Sequence, residues 1–395
     1  MPERGAGGHL ARSGCVSVEA RALTWVAADR TTDAVGVLDE AGPIDGQILL
    51  SLAVAHGLSP LADRALGASL SEEVAAALRE RAHTDGRRSA LLAADMLELE
   101  AAFDNEGIAV VPFKGPALAS RLYGNVALRP SVDLDFLIRR ADVQRAAILL
   151  ADIGFSGVPQ PDELRMFLRS GNELTVTRSS DGLIAEIQWS PAPPYFSFPV
   201  RLDTMIDLAR DVPMAHRSIR ALRPEDELLL LLLHGSKHLW ARLIWLTDII
   251  RTLSSAEPLD WDAILQTAHD ARATRVVLVG LRLALELRPD LPVPPEVRSA
   301  LTRDRRIEEV AHTLKRRLLS RDPRDHEPPF RRLDLSLRED WRDKLTYCVR
   351  LATEPTIGDL HWLPLPEPYW WVYGALRPVR LGTKYLRSSS ASDLD

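Results

Sequence analysis

Between residues 108 and 138 the hydrophobic pattern changes period twice, and this limits the possible fold more than any other feature of the chain. Residues 108–113 (IAVVPF) read as a short buried strand. Lys114-Gly115-Pro116 follows, and residues 117–123 return to helical spacing. Pro116 suits the first turn of that helix, where its missing N–H costs nothing. Residues 132–138 (VDLDFLI) then alternate as a strand does. Strand, turn, helix and strand in so short a span exclude an all-helical bundle.

The same texture continues for some distance. Asp142 is placed to cap a helix running to residue 151, which ends near Gly154. Residues 174–177 and 183–189 flank the turn-forming stretch 179–182, a hairpin signal. We therefore expect a small α/β core over 105–214. On either side the chain is helical. Ile48, Leu49, Leu52 and Ala53 form a stripe in the 16–104 region. Helices are expected over 72–81, with Ser71 as N-cap, and over 89–106, with no titratable cluster among them. From about 215 to 387 a C-terminal helical domain follows. Its strongest segment is 225–253, with further helices near 260–287, 295–319 and 337–353. Residues 1–15 and 388–395 read as tails. The proline- and aromatic-rich 364–371 reads as a strap onto the fold. The fold class is α+β.

Composition narrows the function. The 395 residues carry 49 basic and 55 acidic side chains, a net charge of -6, which argues against duplex DNA as a partner. Residues 303–340 look basic, yet their acids nearly balance them, as on a solvated face. Cys15 and Cys348, the only cysteines, allow neither a disulfide framework nor a thiolate metal site. The N-terminus lacks the apolar stretch of a secretory signal, and the most apolar run, 228–233, is too short for a bilayer. We expect a cytoplasmic protein with no membrane partner.

Asp133 and Asp135, two apart on a strand, project from one face with Cβ atoms ~6.5–7 Å apart. Glu186 lies on a later strand. Converging carboxylates repel one another unless a hard cation such as Mg²⁺ neutralises them. Alone, the Asp pair more often marks an ordinary solvent-facing strand. Before it stands Lys114-Gly115 at a strand-to-helix turn, where free N–H groups and the helix dipole attract anions. Arg129 could clamp a triphosphate, or it could bridge to a neighbouring acid. There is no P-loop, GxSxG elbow, GxGxxG fingerprint or kinase motif.

The stretch VPFKGPALASRLYGNVALRPSVDLDFLI, followed by a helix ending in GF, resembles the uncharacterised nucleotidyltransferases of the NTP-transferase-5 type. These are members of the DNA-polymerase-β-like nucleotidyltransferase superfamily. The likeness covers about 108–190 and extends more loosely into HGSKHLWARLIWLTDI. It implies a minimal nucleotidyltransferase sheet in which Asp133 and Asp135 hold Mg²⁺ (or Mn²⁺) and Glu186 supplies the third carboxylate and base. Lys114, Gly115 and Arg129 would grip phosphate. Two departures stand out. Gly115-Pro116 replaces the usual Gly-Ser or Gly-Gly, so a serine hydroxyl is missing, and Gln188 stands where relatives carry histidine.

On a helix through 225–253, His234, Lys237, His238, Trp245 and Asp248 would share one face, opposite Leu239, Leu243, Leu246 and Ile250. Lys237 could bind phosphate, Trp245 could stack on a base, and a histidine could assist the acceptor. The competing reading is structural, with Trp245 in the core and Asp248 paired to Arg242, Arg251 or Lys237. His234 and His238 have zinc spacing without a third ligand. His216, His269, His312 and His361 stand alone.

The expected activity is Mg²⁺-dependent transfer of a nucleoside monophosphate from an NTP, ATP first, to a small-molecule or peptide hydroxyl. The alternatives are a toxin-like tRNA nucleotidyltransferase, which requires a basic groove beside Asp133, and a non-catalytic nucleotide-binding scaffold.

Overall fold

Alternating apolar and polar residues between 110 and 188 build one mixed sheet. In this computed structural model, which describes residues 16–41, 44–319 and 332–391, the strands are β1 (Val110–Pro112), β2 (Leu134–Ile138), β3 (Phe155–Ser156), β4 (Glu173–Arg178) and β5 (Ile184–Gln188). Their order is β1-β2-β5-β4-β3. β2 and β5 are parallel, and the other pairs are antiparallel. The register opposes Asp135 to Glu186 and Leu137 to Gln188. It also opposes Glu173 to Gln188 and Thr175 to Glu186. The β4–β5 hairpin and the strand carrying Asp135 lie where the pattern put them.

Helices pack around this sheet. Before it come α1 (Val18–Ala27), α2 (Thr31–Ala41), α3 (Gly46–His56), α4 (Ser59–Leu66) and α5 (Glu72–Asn105). Within the sheet region lie α6 (Gly115–Tyr123), α7 (Val143–Asp152), α8 (Pro161–Ser170) and α9 (Leu202–Asp207). Local chemistry sets several of their ends. The Asp45 carboxylate accepts from Gln47 N and Ile48 N at the start of α3, and Gly57 closes it at φ 71°.

One expectation fails here: α5 is a single helix rather than two. The polar stretch around Gly86 reads as a break, yet a Cβ on Gly86 would come within 3.1 Å of Ala127 Cβ. The glycine serves a close crossing with the 126–128 turn, and the helix runs through it.

One face of the sheet is sealed. Leu134, Phe136 and Ile138 of β2, Ala185 and Ile187 of β5, and Leu174 and Val176 of β4 pack with Met96, Leu99 and Phe103 of α5 and Val143, Ala147 and Leu150 of α7. Phe103 meets Phe136 edge-on, with ring centroids 5.6 Å apart. Burying each large side chain contributes ~1.5–3 kcal/mol. By strand alternation, Asp135, Glu186, Gln188 and Glu173 point to the other face.

A hairpin, β6 (Arg210–Met214) with β7 (Arg217–Ala221), follows the sheet, where helix was expected from 215. Its turn contains no glycine; Ala215 adopts φ 53° instead, so the usual punctuation is absent. The helices after it are α10 (Pro224–Lys237), α11 (Leu243–Leu253), α12 (Trp261–Asp270), α13 (Thr274–Leu287), α14 (Pro295–Arg303), α15 (Arg305–Leu318), α16 (Arg332–Ser336), α17 (Trp341–Thr353), α18 (Ile357–Trp362) and α19 (Trp371–Ala391).

The expected continuous helix over 225–253 is broken between α10 and α11. Leu239 and Trp240 take φ values of 51° and 46°, and Trp240 N bonds back to Gly235 O at 2.7 Å. The cause is the Trp240 indole, 1% exposed, which fills space left open by the missing side chains of Gly235 and Gly280. Burying so large a ring outweighs one turn of regular helix.

Helices from both flanks share one apolar cluster that includes Leu23, Leu49, Leu230, Leu246, Val276 and Leu314. The 364–371 segment does strap down: Trp370 and Tyr373 are buried with Met166 of α8 and Leu360. Of the two stretches read as tails, 1–15 and 392–395 lie outside the described residues, as does Cys15, whereas 388–391 belong to α19. Among the described residues no helix is long and apolar enough to cross a membrane.

Candidate active site

The open face of the sheet forms one wall of a cavity of about 320 Å³, and the α10–α11 junction and part of α5 form the others. Asp133, Asp135, Glu186, Lys114, Gly115, Arg129, Lys237, His234, His238 and Trp245 all reach it. Asp248 does not. Strand register explains the carboxylate wall, since Asp135 and Glu186 are direct neighbours across the parallel pair.

The turn that carries Lys114 is sterically unusual. Lys114 sits at φ 63°, ψ -146°, a region that strongly favours glycine, and Gly115 follows at φ 50°. This geometry turns the lysine back over the strand ends. Its Nζ lies 3.1 Å from Asp135 Oδ1 and 3.4 Å from His234 Nδ1. The Gln188 amide donates to Asp135 Oδ1 at 2.6 Å and to Glu186 Oε2 at 3.1 Å. Gln188 therefore ties two of the three carboxylates together.

The carboxylates are held out of solvent and against one another. Burial, and then the neighbouring Asp135 carboxylate, raise Asp133 above the usual carboxylate range. Burial together with Asp135, Glu173 and Asp133 pushes Glu186 up to about 7. His234 is held well below its ordinary value by burial and by Lys114, so it is neutral and its Nδ1 can accept from the ammonium.

The donor chemistry suits a hard divalent cation, being carboxylate oxygen throughout. As they stand, the side chains are not drawn into a ligand shell: among the described residues no three His, Cys, Asp or Glu groups form one. Lys114 and Gln188 supply the counter-charge and hydrogen bonds to Asp135 instead.

Several of the expected residues already have partners. Arg129 is 6% exposed and clamps Asp248 bidentately, Nε to Oδ1 and Nη2 to Oδ2, both at 2.8 Å. Tyr123 donates its hydroxyl to the same carboxylate at 2.7 Å. Asp248 is thus a buried anchor, paired with none of the three cations considered for it, and Arg129 has its fork already filled. Lys237 is committed to Glu173 at 3.1 Å. The zinc spacing of His234 and His238 resolves into an aromatic trio, their rings 5.4 and 5.1 Å from that of Trp245.

Sequence reasoning missed Arg81, Asp85 and Arg88 on α5, Arg242, and Glu173, all of which line the cavity. The first three recur at i, i+4 and i+7, a charged stripe that was legible as one helix face. Arg88 reaches Val132 O at 3.1 Å, and Arg242 Nε donates to Ala55 O at 3.0 Å. Arg242 has no ion-pair partner among the described residues, and burial together with nearby Arg129 lowers its pKa. It is a cation suited to receive an anion.

No curated protein sequence matches this chain. Residues 42–289, well over half of the chain, match the family described as uncharacterised nucleotidyltransferase. The matched region runs from the helices before the sheet, through Lys114, Asp133, Asp135 and Glu186, to the end of α13. The chain belongs to that nucleotidyltransferase family.

Proposed function

We propose that this protein is a Mg²⁺- or Mn²⁺-dependent nucleotidyltransferase that moves a nucleoside monophosphate from an NTP to a hydroxyl of a small-molecule or peptide acceptor. The observation that carries this reading is the shared cavity. It brings Asp133, Asp135 and Glu186 together on one wall, facing a lysine turn, a desolvated arginine and an aromatic trio.

Asp133, Asp135 and Glu186 are the groups that would hold the metal, as in a polymerase-β-like site. When bound, the ion would supply Lewis-acid stabilisation to the phosphates and the attacking oxygen. The acceptor oxygen forms a bond to the α-phosphorus, and the bond from that phosphorus to the pyrophosphate oxygen breaks. The hydroxyl proton passes to Glu186, the third carboxylate of the wall. Lys114 neutralises phosphate charge, and Arg242 and Arg88 take the role first given to Arg129. Trp245 and His238 offer flat faces for the base.

The cavity wall carries six cationic and five carboxylate side chains. This near balance is unlike the basic groove that a tRNA backbone requires. The scaffold alternative is favoured by one observation, the engagement of Asp135 by Lys114 and Gln188.

One experiment separates the two. Thermal stability is measured with each NTP, with and without Mg²⁺ or Mn²⁺, on wild type and on Asp133→Asn/Asp135→Asn. The nucleotidyltransferase reading expects metal-dependent stabilisation, ~2.7 kcal/mol at a hundredfold excess over Kd, that is lost in the double variant. Stabilisation that persists in the variant, or needs no metal, moves the assignment to a scaffold. No shift with any NTP rejects both.

A further inference from the structure

A second cavity, of about 460 Å³, lies at the carboxyl ends of the parallel strands β2 and β5. It is separate from the carboxylate cavity but shares a wall with it. Gly171 lines one and Glu173 the other, and the adjacent Gln188 and Trp189 are divided in the same way. Asn172 forms the partition, its carbonyl accepting from Trp189 N at 3.0 Å. Carboxyl ends of strands are where α/β sheets generally receive ligands.

The charge of this cavity is anomalous. Four arginines line it, Arg140, Arg169, Arg272 and Arg350, against the single carboxylate Asp343, in a chain whose net charge is -6. Among the described residues only Arg272 of the four is ion-paired, to Asp343 at 2.6 Å. Arg140 and Arg350 are instead anchored to neutral backbone carbonyls, Leu168 O at 2.6 Å and Pro194 O at 3.0 Å. Each guanidinium has five N–H donors, so one anchoring bond fixes its direction and leaves the rest for a ligand. Buried Trp189 and Phe198 add apolar surface beside this basic rim. Exposed arginines gathered around one open cavity, three of them without an acidic partner among the described residues, match a phosphate group, which several forks can bind bidentately.

We propose that this cavity binds the phosphate group of a small phosphorylated molecule. The phosphate site stands on its own observations and does not depend on the nucleotidyltransferase reading. The volume suits a metabolite-sized ligand.

The test uses inorganic phosphate as probe, in EDTA, against sodium chloride at matched ionic strength. Melting is followed for wild type, Asp133→Asn/Asp135→Asn, Arg169→Glu/Arg350→Glu and Arg169→Lys/Arg350→Lys. A phosphate-specific rise of a few degrees is expected in wild type and in the Asp variant, reduced in the Lys variant and absent in the Glu variant. An unchanged NTP and Mg²⁺ response in the Glu variant shows that it is folded. No phosphate-specific rise in wild type overturns the proposal, and so does a rise that survives in the Glu variant or vanishes in the Asp variant. If phosphate behaves as expected while no NTP stabilises the protein, the anion site stands and the nucleotidyltransferase reading fails.

Discussion

The two faces of β2 and β5 are made from alternate residues of the same strands, yet they do opposite things. On one side Leu134, Phe136, Ile138, Ala185 and Ile187 are sealed against helices. On the other, Asp135 and Glu186 crowd beside Asp133, which lies just before β2, and both Asp133 and Glu186 are raised above the usual carboxylate range. A period of two lets a single stretch of chain hold the fold with one set of side chains and expose reactive groups with the other. Destabilised carboxylates persist there because the buried face supplies the stability.

The largest effect should come from the sealed face. Phe136→Ala removes a fully buried ring that packs edge-on against Phe103, and should cost ~3–5 kcal/mol in denaturant unfolding. A loss below about 1 kcal/mol would refute the division of labour between the faces. Arg129→Ala probes its limit, because Arg129 lines the reactive cavity yet pairs with a buried acid. Leaving Asp248 uncompensated should cost a similar ~3–5 kcal/mol, and Arg129→Lys should recover only part of it, lacking the bidentate fork.

A smaller effect is expected from pH. His56 accepts from Leu243 N at 3.3 Å, and burial with Arg242 nearby lowers its pKa to about 4. The unfolded chain takes up this proton near 6.5 and the folded chain only near 4. Stability is therefore fully present above 6.5 and falls as pH drops through that window, by about 3 kcal/mol. His56→Asn, which keeps an acceptor, should flatten that part of the profile; an unchanged slope would acquit His56. The smallest shift should be that of Asp133→Asn without metal. Removing one of the repelling charges should leave stability within about 1 kcal/mol of wild type or slightly above it, while the NTP and metal response disappears. A large loss would mean that Asp133 is structural.

Strands β2, β4 and β5 were legible because they alternate, and β1 because it is a short apolar run before a turn; the two-residue β3 was not. Asp133, Asp135, Glu186 and Lys114 were legible for the same reason, since their positions follow from the strand and turn assignments. The partners were not. Arg129 and Asp248 are 119 residues apart, and no local pattern says that they meet. The break after α10 was hidden because its cause, the packing of Trp240 onto glycines of two helices, is tertiary. Helical periodicity placed Trp245 and the histidines near the site, but through a path that the chain does not take.

That break carries a consequence for length. Connecting segments usually tolerate insertions and deletions. Residues 238–242 should not, even though they belong to no helix. Trp240 is seated upstream, while Trp245 and Asp248 must meet the cavity wall and Arg129 downstream. Adding or removing one residue would offset the α11 register by about 100°. Either the indole leaves its seat or Asp248 leaves its arginine. In register terms this short connection behaves as a gear tooth, and natural length variation should be found elsewhere in the chain.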